Sequence, residues 1–124
     1  MASPNWNQLQ SLQVADGLMT AGSACISHIG AENATNGIKY LTDAFHLYKQ
    51  IFGHSDHEKM ADCLHKLGHA HSQLGLPTRD KNELQLGCNF FEASHKMYKN
   101  LGNEQLARIL SQTLERATKT LQKM

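Results

Sequence analysis

The sequence predicts an all-α fold of about five antiparallel helices, assembled as a stack of helical hairpins in one domain spanning residues 1–124. Apolar residues recur at helical spacing in five segments, which short polar or glycine-containing breaks separate. The pattern of the central segment also recurs 46 residues away on both sides, so that Leu64 corresponds to Leu18 and to Leu110. Self-similarity at such a spacing is typical of stacked helical units.

The first two helices are delimited by capping and breaking residues. Ser3 followed by Pro4 predicts the start of the first helix, because serine caps a helix and proline fits its first turn. Its apolar side continues until Gly30. The polar stretch 33–36 predicts a break, after which a second helix runs to Gly53.

The third helix is predicted over residues 55–75 and is strongly amphipathic. Ser55 and Glu58 have the spacing of a capping box, and Gly75 is placed to end the helix in a left-handed conformation. Met60, Leu64, Leu67, His71 and Leu74 form the apolar stripe of this helix. His71 is therefore expected in the core, donating one hydrogen bond.

A loop over residues 76–82 precedes the fourth helix, which Gly102 closes. Asn103 is expected to cap the fifth helix. Small residues at matched positions, such as Gly22 and Gly68, predict close approach between neighbouring helices.

Composition excludes several classes of function. The net charge is +1 with both signs interspersed, so there is no broad basic surface for nucleic acid. No apolar run approaches the roughly 20 residues that span a bilayer, and the first residues lack a signal-peptide pattern. Three widely spaced cysteines fit thiols in a reducing compartment, so we expect a cytoplasmic location.

The hairpins resemble the tetratricopeptide repeat, in the long-linker variety of kinesin light chains. The resemblance covers about residues 15–121 as two degenerate units followed by a final helix. One unit matches at Leu64, Leu67, Gly68, His71, Gly75, Gly87, Phe91, Ser94 and Tyr98, and the earlier unit matches at Leu18, Ala21, Gly22, Cys25, Gly37, Leu41, Ala44 and Tyr48.

This resemblance implies a non-enzymatic adaptor that binds a peptide or helix of a partner protein in a concave groove. The alternative is a structural module that forms a homodimer through the open edge at the final helix. The exposed sides of the first helix of each unit would line the groove, with Met19 as an exposed apolar contact. The implied groove residues are Asp16, Met19, Ser23, Asp62, His65, His69, Ser72, Gln73, Arg108 and Glu115.

The residues themselves give little support for catalysis or a cofactor. Cys63 and His65 lie two positions apart on one helix, so their side chains point about 160° apart and do not form a dyad. No glycine-rich phosphate loop occurs. His65 and His69, one turn apart with Asp62 a turn before, have a spacing that permits zinc or copper. No Cys-x-x-Cys or His-Glu-x-x-His motif accompanies them, so we expect neither metal nor enzymatic activity.

Overall fold

The structure is a computed structural model that describes residues 6–124. Within these residues the chain forms five α-helices and no strand, which confirms the all-α prediction. The helices are α1 Trp6–Ile26, α2 Ala31–Phe52, α3 Glu58–Gly75, α4 Lys81–Asn100 and α5 Glu104–Gln122. The predicted cap at Ser3 and Pro4 lies outside the described part of the chain. None of the five helices combines the length and apolar character needed to cross a bilayer.

Each helix packs against the next one along the chain, and α3 also contacts α1. The core has two clusters, one on each side of α3. Leu41, Tyr48 and Cys63 belong to the cluster that α1, α2 and α3 share. Phe91 and Leu110 belong to the cluster that α3, α4 and α5 share. The middle helix therefore joins two hairpins into one stack.

Two glycines at corresponding positions set the distance between the helices of each hairpin. A Cβ atom at Gly22 of α1 would lie 2.6 Å from Cγ of Leu41 on α2. A Cβ atom at Gly68 of α3 would lie 2.5 Å from Cδ1 of Phe91 on α4. Both distances are far below van der Waals contact, so only glycine permits this approach. The close approach predicted from these small residues is confirmed in both hairpins.

The turn between α1 and α2 differs from the predicted one. The first helix ends at Ile26 and not at Gly30, and α2 begins at Ala31, before the polar stretch 33–36. Ala34 lies within that stretch and is completely buried, while the residues around it face outward. The polar stretch 33–36 belongs to the first turns of α2 and lies mainly on its solvent side. The chain turns before this stretch, at Gly30, whose φ of 146° is one that glycine adopts readily.

The caps of α3 and α4 also differ from the predicted ones, whereas that of α5 agrees. His57, not Ser55, caps α3, and its Nδ1 accepts a hydrogen bond from the Lys59 backbone N–H at 3.1 Å. Asp80 caps α4 by accepting from two backbone N–H groups, so the loop is shorter than expected. Asn103 caps α5 as predicted, through a 3.1 Å bond from the Leu106 backbone N–H.

Gly75 does not adopt a left-handed conformation but is the last residue of α3. The reason for a glycine here is space. A Cβ atom at this position would lie 2.9 Å from Cβ of Glu83 and 3.1 Å from Cγ of Leu84, both on α4. Gly75 therefore lets the chain turn tightly from α3 into α4.

Candidate functional site

An open groove runs between α3 and α5, and α4 forms its floor; we call it the α3–α5 groove. It holds two depressions. The first has a volume of about 500 Å³ and is lined by Glu58, Lys59, Asp62, His65, Tyr98 and Leu106. The second has a volume of about 300 Å³ and is lined by His69, Ser72, Leu76, Leu84, Phe91, Thr113, Arg116, Ala117 and Thr120.

The groove is open because α5 has polar residues at positions where the 46-residue pattern has apolar residues on α3. On α3, Leu67 and Ala70 are buried in the interior of the stack. At the corresponding positions α5 carries Thr113 and Arg116, which have polar side chains. A threonine and an arginine gain little by packing against apolar neighbours, so α5 rests on α4 and leaves a gap beside α3.

Two histidines form the middle of the groove wall. Nε2 of His65 and Nε2 of His69 lie 3.0 Å apart, a hydrogen-bond distance. Both rings lie roughly perpendicular to the Phe91 ring, with centroids 5.0 Å away for His69 and 6.1 Å away for His65. One imidazole must donate to the other, so at least one of the two rings carries its proton on Nε2.

The surroundings keep these rings uncharged near neutral pH. Burial lowers the pKa of His65 to about 4, and the neighbouring His69 adds to the effect while Asp62 opposes it. Burial also lowers the pKa of His69, and the positive charge of Arg116 acts in the same direction. The middle of the groove therefore offers neutral hydrogen-bonding groups.

The two ends of the groove differ in charge. In the first depression Asp62 is paired with Lys66 at 2.9 Å, and Lys59 is paired with Asp16 at 2.8 Å. Glu58 has no ion-pair partner among residues 6–124. At the opposite end, the Arg116 guanidinium likewise has no carboxylate partner within that range. One end thus presents a negative charge and the other a positive charge.

The cysteines near the groove are not activated. Burial raises the pKa of the Cys63 thiol to about 12, and burial also raises that of Cys88. Cys63 lies 3.6 Å from the Met19 sulfur, inside the core. Because the thiolate is the nucleophilic form, these two thiols are poorly suited to covalent chemistry.

Four of the eight predicted groove residues on α1 and α3 do not line the α3–α5 groove: Asp16, Met19, Ser23 and Gln73. Met19 is buried, so the expectation of an exposed apolar contact there is wrong. The Asp16 carboxylate accepts hydrogen bonds from Lys59 and from the Tyr48 hydroxyl.

Ser23 and Gln73 are also occupied within the fold. The Ser23 hydroxyl donates to the Met19 carbonyl at 2.8 Å, within its own helix. The Gln73 amide donates to the Ile26 carbonyl at 2.7 Å and so ties α3 to the end of α1. The predicted groove side of α1 is thus largely used to hold α3 in place.

The predicted residues on α5, Arg108 and Glu115, do not line the α3–α5 groove. Arg108 lies beside His95 and Lys99 in a separate surface depression, and Glu115 pairs with Lys119 at 3.2 Å. The α5 wall of the groove is instead formed by Leu106, Thr113, Arg116, Ala117 and Thr120. One feature of the sequence could have indicated this wall: α5 has the polar residues Thr113 and Arg116 where α3 has Leu67 and Ala70. In contrast, Asp62, His65, His69 and Ser72 of α3 all line the α3–α5 groove.

Side-chain geometry also bears on the metal hypothesis. The Asp62 carboxylate is engaged by Lys66, and no group of three potential ligands comes together within residues 6–124.

His71 lies on the core side of α3, as predicted: its Nδ1 is 2.6 Å from a Glu83 oxygen and its ring stacks on Phe90.

Comparisons with known proteins add no relative. No family model, curated protein or solved structure matches the chain.

Proposed function

We propose that this protein is a non-enzymatic adaptor that holds an extended segment of a partner protein in the α3–α5 groove. The observation that carries the proposal is the pair of depressions of about 500 and 300 Å³ that follow one another along α3, the first lined by His65 and the second by His69. Concave sites with an apolar lining and a few placed polar groups are typical of ligand binding. The three free thiols suit a reducing compartment such as the cytoplasm.

The length of the groove fits a short peptide. From Glu58 to Ser72 the helix advances 1.5 Å per residue, which gives about 21 Å. An extended chain covers about 3.3 Å per residue, so about six residues of a partner fit along the groove. The resemblance to tetratricopeptide repeats stays a proposal, supported by the matched glycine contacts of the two hairpins.

The chemistry of the groove defines the kind of segment. The smaller depression has an apolar floor of Leu84 and Phe91, so it suits one large apolar side chain. Arg116 at its rim favours a neighbouring acidic residue, and Glu58 at the opposite end favours a basic one. Neutral imidazoles can donate to and accept from the peptide backbone between them. The expected segment is basic at one end, apolar near the other and acidic beside the apolar residue.

Selection from a library of random peptides on the native chain, followed by fluorescence anisotropy of the selected peptides, tests this proposal. Selected peptides should carry the basic, apolar and acidic pattern. Arg116→Glu should weaken their binding at least about tenfold, because it places a like charge beside the acidic residue. His69→Ala should weaken binding as well.

Matched controls lie outside the groove. Arg108→Glu makes the same charge change on another part of α5, and His54→Ala removes an exposed histidine from the turn after α2. Both should bind the selected peptides as the native chain does. Selection of no peptide, or equal binding by the Arg116→Glu and Arg108→Glu variants, would contradict the proposal.

A further inference from the structure

One side of α1 carries small apolar residues, no charge and, within residues 6–124, no covering helix; we call it the α1 outer face. It consists of Val14, Gly17, Ala21 and Ala24, which share one side of the helix, with Leu18 beside them. The exposed, uncharged side chains of Gln10, Gln13 and Thr20 border it. Val14 is 56% exposed, and a Cβ atom at Gly17 would meet nothing within 4 Å. None of the helices in residues 6–124 packs over this face.

The internal repeat shows that the same face is buried where a hairpin lies next to it. The residues of α3 at 46-residue spacing from this face are Met60, Cys63, Leu67 and Ala70, which are 5%, 0%, 2% and 0% exposed. Met60, Cys63 and Leu67 pack in the core with α1 and α2. The α1 outer face therefore corresponds to the surface through which α3 packs against the preceding hairpin. It lies at the end of the stack, where no hairpin covers it.

Charge decides what can cover the α1 outer face. Asp16 is the only charged residue of α1, and it points toward α3, where Lys59 and Tyr48 hold it. In a two-fold contact every charge meets a copy of itself or of its neighbours, so an uncharged face is suited to pairing with itself.

The opposite end of the stack does not offer a complementary apolar surface. The outward side of α5 exposes Arg108, Ser111, Glu115 and Lys119, so the open edge expected at the final helix is polar. Head-to-tail stacking would place this polar side against the apolar α1 outer face and leave charged groups desolvated. Pairing through α1 brings apolar surfaces together and closes after two copies.

We infer that the protein forms a two-fold dimer in which the α1 outer faces of two copies pack antiparallel. Gly17 and Ala21 flank the centre of the face, so that Gly17 of one copy lies opposite Ala21 of the other. Their small side chains allow the two helices to approach closely, while Val14 and Leu18 fill the space beside them. The interface is separate from the α3–α5 groove, so each proposal can fail without the other.

Sedimentation equilibrium tests the dimer across a roughly hundredfold range of protein concentration, which mass action requires. The native chain should show a reversible monomer–dimer equilibrium. Gly17→Glu should weaken the dimer at least about tenfold, because two like charges enter an apolar contact. The Cβ of the new side chain has free space, and glycine is a poor helix former, so the variant should fold as the native chain does by circular dichroism.

Two further samples make the test specific. Ser111→Glu adds the same charge to the outer side of α5 and should leave the equilibrium unchanged. Copies carrying Gly17→Glu, mixed with copies carrying Ala21→Lys, should recover the dimer because opposite charges then face each other. A native chain that is monomeric throughout, a larger assembly, or a Gly17→Glu variant that dimerises as tightly as the native chain would overturn the inference.

Discussion

A single methyl group added at Gly68 should destabilise the protein, although alanine is the better helix former. The new Cβ would lie 2.5 and 2.6 Å from two ring carbons of Phe91, whereas carbon atoms in contact prefer about 3.5–4.0 Å. Phe91 is buried and fixed to α4, so relief requires the ring or the whole helix to move. Overpacking of this kind costs about 1–3 kcal/mol, and the gain in helix propensity returns about 1 kcal/mol.

Gly17→Ala provides the matched control, because it makes the same change in a helix where the new methyl group meets nothing within 4 Å. It should stabilise the fold by about 0.5–1 kcal/mol. The difference in free energy of unfolding between the two alanine variants should therefore be about 1–3 kcal/mol, which isolates the steric cost. Urea denaturation followed by circular dichroism, in protein dilute enough to be monomeric, measures both values.

The double variant Gly68→Ala/Phe91→Leu identifies the contact responsible. A smaller residue at position 91 makes room for the methyl group, so Gly68→Ala should cost less in that background than in the native chain. The reasoning is refuted if Gly68→Ala stabilises the protein as much as Gly17→Ala does, because the two helices would then not be held at the observed distance.

Three other predictions concern single interactions. Ser94→Ala should lower the free energy of unfolding by about 1 kcal/mol in urea denaturation, because the buried hydroxyl donates to the Ala61 carbonyl at 2.7 Å. The free energy of unfolding should fall as the pH drops from 6.5 toward about 4, since the unfolded chain then protonates His65 while the folded ring, with its lowered pKa, stays neutral. His65→Asn should remove that part of the slope in denaturation curves measured at each pH, and an unchanged slope would contradict the assignment. Lys59→Met should cost less than about 1 kcal/mol and less still in high salt, because Lys59 and Asp16 are 40% and 44% exposed.

The number and order of the helices follow from the sequence because they depend on local patterns. Helical spacing of apolar residues and breaks at Gly53 and Gly102 are readable without knowing what lies nearby. The start of α2 cannot be predicted from local patterns in this way. Ala34 is surrounded by polar residues, and only its burial against the neighbouring helix distinguishes a helical turn from a loop.

The groove is predictable on α3 but not on α1 and α5, for a related reason. Periodicity alone decides that His65 and His69 share a side of α3 opposite the apolar stripe. Which side of α5 faces that groove depends on how far α5 stands from α3. That distance follows from packing between helices that are not adjacent in sequence. Extrapolating the repeat assigned Arg108 and Glu115 to the groove, whereas in the structure Arg108 lines another depression and Glu115 pairs with Lys119.

The departures from the repeat determine which surfaces of this protein are available for binding. At one position of the pattern α1 has Ala21, α3 has Leu67 and α5 has Thr113. The leucine fills the interior, so α3 is enclosed by the helices before and after it. The threonine leaves α5 apart from α3 and opens a groove, and the alanine leaves a small, uncharged surface at the end of the stack. The end of the stack is uncovered whatever residues it carries, but alanine in place of leucine decides that it presents a small, uncharged surface, and threonine in place of leucine decides that a groove opens beside α3.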